Sequence, residues 1–235
     1  NLTLSLTGEF NFKSLLEGEM LQFNRMLYEM PCVKAVPTFN MEKKNEGFKT
    51  ASKVQYVASG GCFEKEGQEY TGALKVLKTI FSYDYLWVNV RVTGGAYGCM
   101  CSFSRNGYGF FTSYRDPNLS ATLNVYKKAA EYVRNFEAGQ RDMTKYIIGT
   151  ISGIDQPLEP AALGDRSFHA YQSGVTVEMI QKERNQVLDA TEETIRSLAG
   201  YIETMMDAGT VCAIGNDRKL EEEKELFKQV SSLTQ

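Results

Sequence analysis

Hydrophobic and polar positions alternate at the start of the chain, where Leu2, Leu4 and Leu6 are separated by Thr and Ser. An alternation of period two predicts a half-buried β-strand over residues 1–7. Apolar residues then recur at helical spacing, which predicts an amphipathic helix over residues 12–29. The polar and charged stretch that follows predicts a linker.

A second unit is predicted to begin near Ala51. Alternation predicts a strand around residues 54–58, and an apolar stripe predicts a helix over residues 69–83. Residues 97–104 and 108–114 are predicted strands. Asn106-Gly107 between them indicates a β-hairpin, because both positions tolerate positive φ.

Asp116 and Pro117 have the residue types of an N-cap and a first helical position, so a helix is predicted to begin there. The rest of the chain is rich in predicted helices, with one short strand between the last two: helices over residues 140–152, 165–173, 176–188 and 189–206, a strand over 210–214 and a helix over 217–232.

This order of elements predicts an α+β fold, with a mainly antiparallel sheet and helices packed on one face. A strand, a glycine, a polar turn and an amphipathic helix occur in that order near both ends of the chain. We therefore predict that residues 1–32 are the tail of a preceding domain, residues 33–50 a linker, and residues 51–235 one complete C-terminal domain.

Composition excludes several classes of function. The 235 residues include 26 basic and 29 acidic side chains, a net charge of −3. That balance gives no electrostatic reason to bind nucleic acid or an anionic membrane. No apolar run reaches the roughly 20 residues that cross a bilayer. The five scattered cysteines do not resemble a disulfide framework, so we expect a reducing compartment, the cytoplasm.

Candidate chemistry is limited by the single histidine, His169. A catalytic zinc usually has three protein ligands, and neither H-E-x-x-H nor H-x-x-E-H occurs, so we expect no metal site in this chain and a packing or surface role for His169. Cys99 and Cys101 lack further ligands at a suggestive spacing, which favours core filling. No serine nucleophile motif or phosphate-binding loop is present.

The most informative stretch is residues 86–118. Residues 91–98 read R-V-T-G-G-A-Y-G, and residues 113–118 read S-Y-R-D-P-N, with the predicted hairpin between them. This stretch resembles the C-terminal domain of presequence proteases, a branch of the insulinase/pitrilysin superfamily of zinc metallopeptidases. The resemblance extends over roughly residues 50–235.

The resemblance implies one half of a clamshell-shaped endopeptidase that degrades unstructured peptides. Zinc would be bound by the N-terminal half of the same polypeptide, which is the expected partner. Arg91 and Tyr97 match the family's arginine and tyrosine that reach the active site, where such donors stabilise charge on a peptide oxygen. Gly94 and Gly95 would let an extended substrate approach closely. The chain alone is expected to be inactive.

A structural interpretation competes at the same residues. A tyrosine after a glycine turn is usually a packing residue, and Arg91 near a helix end could complement the helix dipole. Arg115 is expected to form a salt bridge or anchor the helix start. The alternative function is a catalytically inactive domain that binds peptide or scaffolds a complex, and an upstream H-x-x-E-H motif would discriminate between the two. An autonomous small enzyme is disfavoured, because no complete set of ligands or nucleophiles is present.

Overall fold

The computed structural model describes residues 3–9, 12–27, 37–39, 42 and 44–233. The chain divides into two compact units. The first comprises residues 1–42 and 157–177, and the second comprises residues 43–156 and 178–235. The second unit contains both motifs that carried the resemblance.

A six-stranded sheet forms the centre of the second unit, in the order β3-β4-β2-β5-β1-β6. The strands are β1 (Glu46–Thr50), β2 (Gln55–Cys62), β3 (Gly98–Phe103), β4 (Tyr108–Asp116), β5 (Thr210–Asn216) and β6 (Gln229–Ser232). Neighbouring strands from β3 to β5 are antiparallel, whereas β1 runs parallel to both β5 and β6. The predicted α+β class with a mainly antiparallel sheet is confirmed.

Helices and short helical turns connect the strands. The helices are α1 (Phe12–Leu15), α2 (Leu21–Met26), α3 (Ala73–Ile80), α4 (Ser120–Lys127), α5 (Ala129–Arg134), α6 (Gln140–Ile154), α7 (Pro160–Gln172), α8 (Val177–Leu188), α9 (Glu192–Ser197), α10 (Ala199–Asp207) and α11 (Asp217–Glu222). Three π-helical segments are Leu16–Met20, Phe81–Tyr85 and Trp87–Thr93, and Lys224–Leu226 is a 3₁₀ turn.

The two faces of the sheet have different environments. Along β4, Phe111 and Ser113 are buried whereas Tyr108 and Phe110 are exposed, as the two-residue period of a strand requires. The buried face packs against helices that include α3, α4 and α10, whose apolar residues complete the core. The other face, here called the open face, carries large side chains that are only partly covered.

In the first unit, residues 3–7 are not part of a strand, although their alternation predicted one. A strand needs a neighbouring strand to satisfy its backbone groups, and the described part of this unit contains none. The predicted helix over residues 12–29 is present as helical turns from Phe12 to Met26, broken by the non-helical backbone of Gly18. Its last two predicted positions lie outside the described residues.

Several predicted boundaries in the second unit are wrong, such as the start of the helix predicted over residues 69–83, which begins at Ala73. Residues 46–50, predicted as the end of the linker, form β1, because β5 and β6 offer it hydrogen-bonding edges on both sides. The helix predicted from Pro117 begins at Ser120. The helix predicted over residues 217–232 ends at Glu222, and residues 229–232 pair with β1 as β6. The rest of the predicted domain division stays a prediction.

Candidate functional site

A helical segment ends at a tight glycine turn. The chain continues from α3 through two π-helical segments to Thr93. Gly95 then donates its N–H to the carbonyl of Arg91 at 2.9 Å, and Ala96 donates to Val90 at 3.1 Å. Gly95 has a φ of +80°, a left-handed conformation that glycine adopts without steric cost. Arg91 and Tyr97 therefore lie at the two ends of this glycine turn (residues 91–97).

The turn between β4 and α4 holds the glycine turn in place. Asn118 donates from Nδ2 to the carbonyl of Gly94 at 2.6 Å, and the N–H of Tyr97 donates to the carbonyl of Arg115 at 3.3 Å. The fully buried carboxylate of Asp116 accepts the N–H of Asn118 at 2.9 Å. The two motifs that carried the resemblance are thus parts of one site.

Tyr97 presents its side chain to solvent, with 60% of the residue exposed. Its ring packs edge-on against the ring of Tyr114, with centroids 5.5 Å apart and an interplanar angle of 62°. The guanidinium carbon of Arg115 lies 5.5 Å from the centroid of the same ring. Within the described residues, no hydrogen bond engages the Tyr97 hydroxyl, so the ring is held by packing while its donor stays available.

Arg91 is half-buried at the end of the π-helical segment. Its guanidinium carbon lies 3.9 Å from the ring centroid of Trp87, one helical turn earlier, which is a cation–π contact. Among the residues that the structure describes, no carboxylate forms an ion pair with Arg91 or with Arg115. The predicted salt bridge of Arg115 is therefore absent there, and its contact with Tyr97 replaces it. Two guanidinium groups without a carboxylate partner among the described residues make this surface suited to accepting negative charge or carbonyl oxygens.

Gly94 and Gly95 have structural roles in the turn. The carbonyl of Gly94 is engaged by Asn118, and the N–H of Gly95 is engaged by Arg91. Gly95 is nevertheless exposed, and a Cβ built on it would meet only Pro117, at 3.6 Å. A role in substrate binding would therefore depend on close backbone approach at Gly95, and it stays a prediction.

The described residues contain no cluster of three or more His, Cys, Asp or Glu side chains that could hold a metal ion. His169 is exposed on α7, and its Nδ1 lies 2.7 Å from the carbonyl of Asp165. Burial raises the pKa of Cys99 to about 11, opposed by the nearby Arg91, and raises that of Cys101 to about 12. Two thiols without further ligands grouped beside them among the described residues do not make a complete zinc site.

The sequence did not reveal the part that Tyr114, Arg115 and Asn118 take in the site. Tyr114 is predicted at the end of a strand, and Arg115 and Asn118 at the start of a helix, yet all three contact the glycine turn or Tyr97. The available signal was the hairpin, which pairs β3 with β4 and so brings the segment before β3 next to the segment after β4. No described helix is long and apolar enough to cross a membrane.

Comparisons with known proteins agree with these motifs. A family model described as the PreP C-terminal domain matches residues 45–217. Protein HypA from Clostridium perfringens is 41% identical over 237 residues, which cover 99% of this chain and 24% of HypA. Presequence protease 1, chloroplastic/mitochondrial, from Arabidopsis thaliana is 34% identical over 215 residues, covering 91% of this chain and 20% of that protein. The chain thus spans about a quarter or less of the length of these relatives.

The fold also occurs in solved structures. The peptidase M16 inactive domain from Pseudomonas fluorescens matches with a TM-score of 0.63 at 15% identity, covering 87% of this chain and 51% of that chain. At this identity the likeness shows the fold alone. It supports an architecture shared with M16 peptidase domains, of which some are named inactive.

Proposed function

The chain belongs to the PreP C-terminal domain family, and from that premise we propose that it completes the active site of a zinc endopeptidase for unstructured peptides. In this proposal Tyr97 and Arg91 donate hydrogen bonds to the substrate. The N-terminal half of the same polypeptide supplies the remaining groups.

The proposal depends on how the Tyr97 ring is packed and on the exposure of this residue to solvent. Its ring is fixed by Tyr114 and Arg115, its backbone is tied to β4, and its hydroxyl is exposed without a partner among the described residues. The residue is mostly exposed, so its ring does not fill the core. A donor that is held rigidly and left free is preorganised for a charge that forms during a reaction.

The chemistry follows from the two donors. The Tyr97 hydroxyl would donate to the carbonyl oxygen of the scissile peptide as that oxygen gains negative charge. Such a bond strengthens in the transition state and therefore accelerates the reaction. The Arg91 guanidinium would donate to a neighbouring peptide carbonyl and add positive charge to the site. Loss of one such donor is expected to reduce kcat by about 100- to 1,000-fold.

Zinc is not assigned to this chain. Its described residues do not fit a zinc site, so the metal and its ligands would be supplied by the other half of the polypeptide. A bound zinc would supply a Lewis acid there. The preference for unstructured peptides and the cytoplasmic location remain predictions, and the Arabidopsis relative is named for the chloroplast and mitochondrion.

The proposal is tested in the full-length polypeptide with a quenched fluorescent peptide. Tyr97→Phe removes only the hydroxyl and is expected to lower kcat about 100-fold with an unchanged Tm. Tyr83→Phe is the matched control, because Tyr83 is also exposed, at 70%, and lies outside the site. Full activity of Tyr97→Phe, or an equal loss in Tyr83→Phe, would contradict the proposal.

The second candidate is a catalytically inactive domain that binds peptide, and the Pseudomonas structural neighbour is one domain that is named inactive. The two candidates differ in the upstream half. A preserved H-x-x-E-H motif in that half, together with peptide cleavage by the full-length polypeptide, would exclude the inactive domain. Peptide binding without cleavage by a full-length polypeptide lacking that motif would favour it.

A further inference from the structure

A concave pocket lies in the second unit on the open face of the sheet. Its volume is ≈ 420 Å³, within the range of roughly 300–1,000 Å³ that ligand pockets have. The side chains that form it on the open face are Tyr56, Ala58, Met100, Thr112, Tyr114, Cys212 and Ile214. No charged residue lines it, and almost all of the lining surface is apolar.

The register of the strands creates this pocket. Ala58 pairs with Thr112 on one side and with Cys212 on the other, so small side chains form its floor. Tyr56 pairs with Ile214, and Met100 pairs with Thr112, which places larger side chains around that floor. A small residue surrounded by large ones on a solvated sheet face produces a concavity instead of a flat surface.

The side chains that line the pocket are only partly buried within the second unit. Tyr56 is 48% exposed and Met100 is 49% exposed, although both are large and mostly apolar. The helices of the unit pack on the opposite face of the sheet. Apolar surface that is concentrated in a concavity, with no described helix of its own unit over it, is typical of a binding site.

The pocket is continuous with the proposed active site through Tyr114. This side chain lines the pocket and also packs edge-on against Tyr97 at 5.5 Å. An extended peptide advances about 3.3 Å per residue. A peptide held at Tyr97 therefore reaches the pocket within about two or three residues of the bond beside the Tyr97 hydroxyl.

We propose that this pocket binds one apolar side chain of the peptide substrate and so sets a sequence preference near the cleaved bond. The inference rests on the proposed function and adds the chemical class of the side chain. An apolar occupant is required because no lining group can pair with a charge. A single side chain fits better than a flat partner surface, because the site is a concavity bordered by protruding side chains.

The experiment measures binding of labelled peptides to the full-length polypeptide, with chelator present so that cleavage does not interfere. A single Phe is moved along an otherwise Ser- and Gly-rich peptide. The wild type is expected to bind about 10-fold more tightly when Phe occupies one or two adjacent positions. Ala58→Leu fills the pocket, and Met100→Gln makes its wall polar. Both variants are expected to reduce the ratio between the affinity with Phe at the preferred positions and the affinity with Phe elsewhere to below about 3.

Phe110→Gln is the matched control. Phe110 is also on the open face and 41% exposed, but it does not line the pocket. It should keep the positional preference of the wild type, and Tyr97→Phe should keep it as well. No positional preference in the wild type, an unchanged ratio in both pocket variants, or an equal loss in Phe110→Gln would overturn the proposal.

The same peptides separate this inference from the proposed function. If the metal-loaded Tyr97→Phe variant cleaves as fast as the wild type, the proposed function fails, while the binding ratios still decide the pocket. If Tyr97→Phe is slow and the ratios do not depend on Ala58 or Met100, the pocket proposal fails alone.

Discussion

The ring of Tyr114 lies directly over the backbone of Gly98, so that a Cβ built on Gly98 would be 2.2 Å from Tyr114 Cε1. The two residues are paired across β3 and β4. Because Gly98 has no side chain, the Tyr114 ring can lean across β3 and reach Tyr97. The position of the proposed catalytic phenol therefore depends on the glycine that follows it.

Gly98→Ala is expected to displace Tyr114 and to destabilise the protein by about 1–3 kcal/mol, the usual cost of overpacking. The displaced ring would no longer hold Tyr97, so kcat should also fall. Urea unfolding and peptide cleavage by the full-length polypeptide measure the two effects. Gly153→Ala is the control, because nothing lies within 4 Å of a Cβ built there. Normal stability and activity in Gly98→Ala would show that Tyr114 can move without consequence.

Asn118→Ala removes the 2.6 Å hydrogen bond to the carbonyl of Gly94. We expect a loss of about 1 kcal/mol in the free energy of unfolding, which is typical of one hydrogen bond. We also expect kcat to fall, because the glycine turn is no longer held in position. Asn124→Ala, at an exposed position of α4, should change neither quantity. Cleavage kinetics that match the wild type would exclude a positioning role for Asn118.

Arg115 adopts a φ of +48°, the one positive φ among the described non-glycine residues. Arg115→Gly relieves this strain and is expected to raise the unfolding free energy by about 1 kcal/mol. Because the guanidinium no longer contacts the Tyr97 ring, peptide cleavage should slow. Thermal unfolding measures the change in stability, and kcat of the full-length polypeptide measures the change in peptide cleavage. A less stable Arg115→Gly protein would mean that the lost side-chain contact outweighs the backbone strain.

Glu183 connects three elements and should make stability depend on pH. Its buried carboxylate accepts hydrogen bonds from Arg105 at 2.5 and 2.7 Å and pairs with Lys75 at 3.0 Å. Burial alone would raise the pKa of Glu183, but these two cations outweigh burial and lower it. The stabilisation is therefore complete above the pKa of an unfolded glutamate, about 4.3, and is lost as pH falls through the folded value.

Glu183→Gln is expected to destabilise the protein at neutral pH by about 2 kcal/mol, because the exposed Arg105 and the partly buried Lys75 lose the buried carboxylate with which they pair. The difference from the wild type should shrink as pH is lowered below about 4. Asp155→Asn is the control, because its ion pair with Arg184 is more exposed and should contribute less than about 1 kcal/mol. A difference that is constant between pH 7 and pH 3 would contradict this assignment.

The isolated chain is expected to bind no stoichiometric zinc and to cleave no peptide, because its described residues offer no metal-binding cluster. Metal analysis after dialysis against micromolar zinc measures the first expectation, and a fluorescent peptide assay measures the second. One tightly held zinc per chain would contradict the assignment of the metal to the other half of the polypeptide.

The sequence predicted the hairpin but not its register. Asn106-Gly107 favours a two-residue turn, which would pair Cys99 with Tyr114. In the structure Ser104 donates to Tyr108 across a three-residue loop, and Gly107 alone has a positive φ. The additional loop residue shifts the pairing by one, and such a shift moves side chains to the opposite face. The contact between Gly98 and Tyr114 therefore could not be derived from the turn residues alone.

The fold class followed from the order of elements, whereas β1 and β6 were missed because both are short and polar. β6 contains one strongly apolar residue, Val230, and β1 contains one, Phe48. Their strand conformation depends on pairing with distant parts of the chain, which a local pattern does not record. Arg91 and Tyr97 were identified by resemblance, since their residue types alone are equally typical of packing.

The position of β1 also bears on how the protein is made. Asn45, just before β1, accepts the N–H of Val211 through its side chain, across a sequence separation of 166 residues, and its carbonyl accepts from Lys228. A ribosome releases β1 long before it releases either neighbour of that strand. The first strand must therefore wait in an unpaired state, and we expect the sheet to close only after translation of the chain as far as β6 is complete.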